Sequence, residues 1–169
     1  FCVSGHVAIP GVYEVAMGTT LGDVIELAGG ATGTTRAILM GGAAGSFIAP
    51  DQLDLPLTQE DTREAGTTLG SGVITLFDDS VDFQALLTRI TEFFKGESCG
   101  QCVPCRVGTT RQHEVIVELG RTGTLPVARA TLIDDMALAM ADASICGLGH
   151  TAAGAVQSAI RLGLIGASS

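Results

Sequence analysis

A chain of 169 residues can form one medium domain or two small ones, and at 46% hydrophobic residues it can bury a core. Aromatic residues are only 4% and tryptophan is absent, so that core must be aliphatic. The net charge of −9, with no basic run to neutralise phosphates, argues against nucleic acid as a partner, and no apolar run of roughly 18 residues is present to span a membrane as a helix.

The sequence opens Phe1-Cys2-Val3-Ser4 without a methionine, as a piece of a longer polypeptide would. Gly5, His6, Pro10 and Glu14 stand where the apolar stretch of an export signal would lie. A reducing cytoplasm is therefore the expected compartment. Residues 1–16 read as two short strands, with Pro10-Gly11 as a type II turn in which glycine takes the positive φ. Val12, Tyr13 and Val15 continue as strand. Thr20 is a helix cap, with Asp23 three residues on; Leu21, Val24, Ile25 and Ala28 follow at helical spacing, and Gly29-Gly30 stops the helix.

Residues 36–49 predict strand segments broken at Gly41-Gly42, and the polar stretch 51–70 predicts a loop with room for one helical turn. Gly72 to Phe77 predicts a buried strand. The period then changes. Phe83, Leu86, Leu87, Ile90, Phe93 and Phe94 mark one face of a helix, capped by Ser80 and ended by Gly96. Further helices are expected from Val107 to Leu119, from Pro126 to about Ala141 with Leu132, Met136, Ala139 and Met140 inward, and from about Thr151 to Leu162 with Val156 and Ile160 on one face. The chain thus divides into a mixed β part, residues 1–79, and a helical part, residues 80–169.

Chemistry concentrates in the cysteines. There are five, Cys2, Cys99, Cys102, Cys105 and Cys146, and an odd number with three at two-residue gaps is a poor disulfide framework. Cys99-x-x-Cys102-x-x-Cys105 lets three thiolates converge from one short loop, and Cys146, before Gly147-Leu148-Gly149, is the natural fourth ligand. Tandem cysteines with a distant fourth favour an iron–sulfur cubane, whereas structural zinc sites usually show two separate C-x-x-C pairs; zinc stays open as the alternative. Cys2 reads as a small hydrophobe in a strand. Backbone N–H groups of Ser98, Gly100, Gln101 and Gly108 can serve the sulfurs. Arg106 and Arg111 either raise the reduction potential or pair with Glu97 or Glu114. His6, His113 and His150 read as structural. Gly41-Gly42 and Gly45 match neither a P-loop nor a dinucleotide turn.

The run Glu97-Ser98-Cys99-Gly100-Gln101-Cys102-Val103-Pro104-Cys105-Arg106-Val107-Gly108 resembles the cluster motif of NADH-oxidising flavoprotein subunits, and Ser144-Ile145-Cys146-Gly147-Leu148-Gly149 resembles the motif carrying their fourth ligand. These are the flavoprotein subunit of respiratory complex I, the diaphorase subunit of NAD-reducing hydrogenases and the beta subunit of soluble NAD-dependent formate dehydrogenases. Ser4-Gly5-His6-Val7, Pro10 to Val15, Gly18 to Leu21 and Ala28-Gly29-Gly30 resemble the soluble-ligand-binding β-grasp domain of the same family. The resemblance implies an α+β chain, a β-grasp domain followed by an all-helical four-iron–four-sulfur domain, with Cys99, Cys102, Cys105 and Cys146 as ligands. It implies an electron relay between FMN on an upstream domain and iron–sulfur centres of partner subunits. FMN and NAD would bind the full-length protein, and this fragment alone would not be catalytic. Gly147, where complex I members more often carry Ala, leans the branch toward formate dehydrogenase. From another class, a structural zinc-binding interaction module remains the competing reading.

Overall fold

A computed structural model describes residues 1–166. The chain forms two compact units, Phe1–Val81 and a second that starts at Asp82.

In the first unit, β1 (Cys2–Gly5), β2 (Gly11–Val12), β3 (Thr35–Met40), β4 (Ser46–Ile48) and β5 (Val73–Asp78) form one sheet in the order β2-β1-β5-β3-β4. β1 and β5 run parallel, with Val3 opposite Ile74, and the other pairs are antiparallel. Helix α1 (Leu21–Leu27) starts where Thr20 Oγ1 accepts the Asp23 N–H at 3.2 Å and stops at Gly29 and Gly30, both at positive φ. Its Leu21, Val24 and Ile25 join Val3, Ile38, Met40, Ile74 and Leu76 in one aliphatic core.

Three expectations change here. The Pro10-Gly11 pair makes no type II turn, because Gly11 does not take positive φ; the positive φ falls at Gly5 (+80°), where a Cβ would lie 2.1 Å from the Leu76 carbonyl oxygen. β2 ends at Val12, and Tyr13 instead donates its hydroxyl to the Ile9 carbonyl at 2.6 Å. The polar stretch holds a short helix, α2 (Gln59–Glu64), because Thr58 caps it through the Asp61 N–H at 3.0 Å and buries Thr62 beneath it.

The second unit is helical: α3 (Phe83–Glu97), α4 (Val103–Thr122), α5 (Val127–Ala143), α6 (Gly147–Thr151) and α7 (Gly154–Arg161). Asp82, not Ser80, caps α3, accepting the Ala85 N–H at 3.0 Å; Ser80 is engaged with Asp78 Oδ1 at 2.6 Å. Phe83, Leu87, Ile90 and Phe94 are buried as the periodicity requires, but Phe93 is half-exposed and Thr91 takes the inward place, donating to the Leu87 carbonyl. α3 runs past Gly96 to Glu97. In α5 the buried positions are Ile133 and Met140, and Ala139 is exposed. The expected last helix, from about Thr151 to Leu162, is α7, which starts later at Gly154, and a separate short helix, α6, precedes it. The chain bends at Ala152 and Ala153, where the Ala152 carbonyl accepts from Gln112 Nε2 at 2.9 Å, and Ala155, Val156 and Ala159 form the buried face of α7. Close packing of α4 on α5 depends on Gly108: a Cβ there would lie 2.6 Å from Met140 Sδ. Among the described residues no helix is long and apolar enough to cross a membrane.

Candidate metal centre

The cysteine loop begins where α3 ends. Ser98 caps the helix, donating its N–H to the Phe94 carbonyl at 3.1 Å, and its side chain is buried. Gly100 then reverses the chain at φ +85°, a conformation that a residue with a Cβ rarely takes. Cys102 is the N-cap of α4, which starts inside the motif at Val103 rather than at Val107, with Pro104 in the first turn where its missing N–H costs nothing. Cys105 follows in that turn and is buried. Cys102 and Cys105 therefore lie at the N-terminus of a 20-residue helix, whose unpaired N–H groups and dipole favour negative charge held there.

The distant segment comes to the same place. The Ile145 N–H donates to Cys102 Sγ at 3.4 Å. The Cβ that Gly149 lacks would lie 3.3 Å from Cys105 Cβ, so α6 packs directly on the first turn of α4. Cys146, between these two contacts, is the N-cap of α6. Ser98 Oγ is 3.4 Å from Cys105 Sγ, a hydroxyl placed to donate to a thiolate. Cys99 and Cys146 are exposed, Cys102 is half-buried and Cys105 is buried.

Among the described residues no three His, Cys, Asp or Glu side chains stand together as a ready metal site; the structure brings Cys102 and Cys105 against the 144–149 segment. The donor set fits the cluster: soft sulfur ligands, N–H and O–H donors aimed at them, and a helix N-terminus behind.

The remaining candidates sort themselves. Arg111 pairs with Glu114 at 2.6 Å on the surface. Arg106 has no carboxylate partner among the described residues; its guanidinium lies over Gly100, 2.9 Å from where a Cβ would stand, and so adds positive charge beside the loop. Cys2 lies in β1 as expected but is exposed, since strand alternation turns Val3 inward instead. His6 pairs with Asp78 at 3.5 Å, His113 Nδ1 meets Thr91 Oγ1 at 3.1 Å, and His150 Nε2 donates to the Ser144 carbonyl at 2.7 Å. Sequence reasoning missed the Ser98 hydroxyl, the Ile145 N–H and Ser144. Only Gly149, a glycine inside a helix, signals the close approach.

Two family models match the chain: "NADH-ubiquinone oxidoreductase-F iron-sulfur binding region" over residues 85–162 and "SLBB domain" over residues 1–43. The F subunit of the NADH-quinone oxidoreductase of Mycobacterium bovis is 35% identical over 165 residues, covering 95% of this chain and 36% of the relative. That of Rickettsia rickettsii is also 35% identical, over 95% of this chain and 39% of the relative. A chain of an NAD+-reducing [NiFe]-hydrogenase in the H2-reduced state superposes with a TM-score of 0.83 at 35% identity, covering 95% of this chain and 27% of that one. The sequence thus spans little more than a third of the curated relatives it matches.

Proposed function

Because the chain belongs to the family of NADH-oxidising flavoprotein subunits and corresponds to their C-terminal part, we propose that it holds one four-iron–four-sulfur cluster on Cys99, Cys102, Cys105 and Cys146 and relays single electrons through it. The observation that carries this reading is the meeting of the 144–149 segment with the 98–105 loop, through Ile145 N–H to Cys102 Sγ and Gly149 on Cys105. When bound, the cluster takes up and gives up one electron at a time. The protein's part is to hold and tune. Ser98 and Ile145 direct hydrogen bonds at sulfur, the α4 N-terminus and Arg106 offset negative charge, and burial of Cys105 keeps water from one side.

The first unit we read as a soluble-ligand-binding β-grasp domain, supported by the SLBB match and by a mixed sheet with one packed helix, and we set the domain boundary at residue 79, in the β5–α3 connection. In the complete protein FMN and NAD occupy a separate domain, and this chain passes electrons from it to iron–sulfur centres of partner subunits in a reducing cytoplasm. The exposed Val103, Val107 and Ile145 beside the cysteines give a partner an apolar surface to seat on. For the branch, Gly147 favours a formate-dehydrogenase beta subunit, while the quinone oxidoreductase and hydrogenase relatives match at the same 35% identity. The test is to express the complete protein with its neighbouring subunits and follow cluster reduction by NADH, formate and hydrogen. Reduction by NADH supports the relay, and reduction by formate fixes the branch. A cluster that none of the three reduces, in flavin-loaded protein, would overturn the relay.

A further inference from the structure

We infer that the Ser144 hydroxyl donates to the bound cluster and raises its reduction potential, a role that rests on the ligand set proposed above. Ser144 closes α5 in extended conformation, φ −92° and ψ 146°. Its backbone is fully engaged: the N–H donates to the Met140 carbonyl at 3.1 Å and the carbonyl accepts from His150 Nε2 at 2.7 Å. The hydroxyl alone is left over. Ser144 Oγ is buried and has no hydrogen-bond partner among the described residues. A buried hydroxyl in that condition calls for a partner outside the protein.

The side chain lies at the joint of the two cysteine segments. The Cβ that Gly149 lacks would lie 2.1 Å from Ser144 Oγ and 3.3 Å from Cys105 Cβ, so the hydroxyl packs on Gly149, which in turn lies against the buried cysteine. The next residue, Ile145, already gives its N–H to Cys102 Sγ at 3.4 Å. Of the protein's hydroxyls, Ser98 serves Cys105 from the α3 side, and Ser144 stands on the α5 side. Reduction of a bound cluster would add one electron, and with it one negative charge, at its sulfurs and irons. A donor aimed at its sulfurs therefore stabilises the reduced form more than the oxidised form.

The test uses the 169-residue chain, reconstituted anaerobically, as wild type, Ser144→Ala, Ser144→Gly and Ser144→Thr. Iron and sulfide content are measured first, then the midpoint potential by titration followed by EPR. Ser144→Ala is expected to keep its iron and to favour the oxidised form about tenfold more, which is about 59 mV for a one-electron couple. Ser144→Thr, which keeps the hydroxyl, is expected to restore the wild-type value. If the Ala variant fails to retain the cluster, Ser144→Gly makes the same comparison without a Cβ against Gly149. Unchanged potential in an iron-replete variant lacking the hydroxyl would overturn this inference and leave the ligand set standing. A wild-type chain that holds no iron would overturn the ligand set itself.

Discussion

Replacing Gly149 by alanine should loosen the joint on which the centre depends. Gly149 lies in α6 and does not take positive φ, so intrinsic propensity alone would make Gly149→Ala stabilising by up to about 1 kcal/mol. The surroundings oppose it. The new Cβ would stand 2.1 Å from Ser144 Oγ and 2.5 Å from Ser144 Cβ. Rotation can move the hydroxyl away but not the Cβ, so backbone must shift, and overpacking of that kind costs about 1–3 kcal/mol. The expected balance is a net loss of about 1–2 kcal/mol, or about 4–8 °C in melting temperature per kcal/mol for a unit of this size. Because the displaced segment carries Cys146, iron should also be lost faster to a chelator. Urea melts followed by helical circular dichroism measure the first effect, and bleaching under chelator measures the second. Ser144→Gly in the same chain removes both clashing atoms and should recover most of the loss, a coupling that a double-mutant cycle reads directly. A Gly149→Ala chain as stable as wild type, with unchanged iron retention, would refute the packing argument.

Cys102→Ser should abolish cluster binding and destabilise the helical unit, while Cys2→Ser, at an exposed position in β1, should leave iron per chain unchanged; iron loss from the Cys2 variant would mean that the ligand set is wrong. Gly5→Ala should cost about 2–4 kcal/mol in urea unfolding of the first unit, since it combines a left-handed φ of +80° with a Cβ 2.1 Å from the Leu76 carbonyl. Asp78 has its carboxyl held below the ordinary value of 3.8, first by the Ser80 hydroxyl and, among smaller causes, by His6. A depressed pKa means stability that is present above that ordinary value and is lost as pH falls through the lower folded one. The urea midpoint of the first unit should therefore drop below about pH 3.8, and Asp78→Asn should flatten that drop; an identical acid limb in both proteins would contradict the assignment.

What the sequence reveals here depends on the scale of the signal. α1 was legible because Thr20 and Asp23 fix its start and two glycines its stop, and α3 because its apolar stripe repeats over four turns. Even so, one-dimensional periodicity placed Phe93 inward, whereas Thr91 is buried because it can bond its own helix and meet His113. α2 was invisible as a full helix because a six-residue polar helix with one buried side chain has no period to read. The bend between α6 and α7 depends on Gln112, 40 residues away, taking the Ala152 carbonyl, and no local pattern announces that. In the centre, cysteine spacing was enough to nominate the four thiols. The donors around them were not legible in the same way. Ser98, Ile145 and Ser144 matter because of where α3 and α5 end in space, and a serine at a helix end looks like a cap in any sequence.

The most direct measurement is iron and acid-labile sulfide per chain after anaerobic reconstitution, with zinc assayed in parallel and EPR recorded on the reduced protein. The account predicts about four irons and four sulfides with a spin-half signal. Stoichiometric zinc without sulfide would contradict it, and would make the four cysteines the anchor of a structural interaction module.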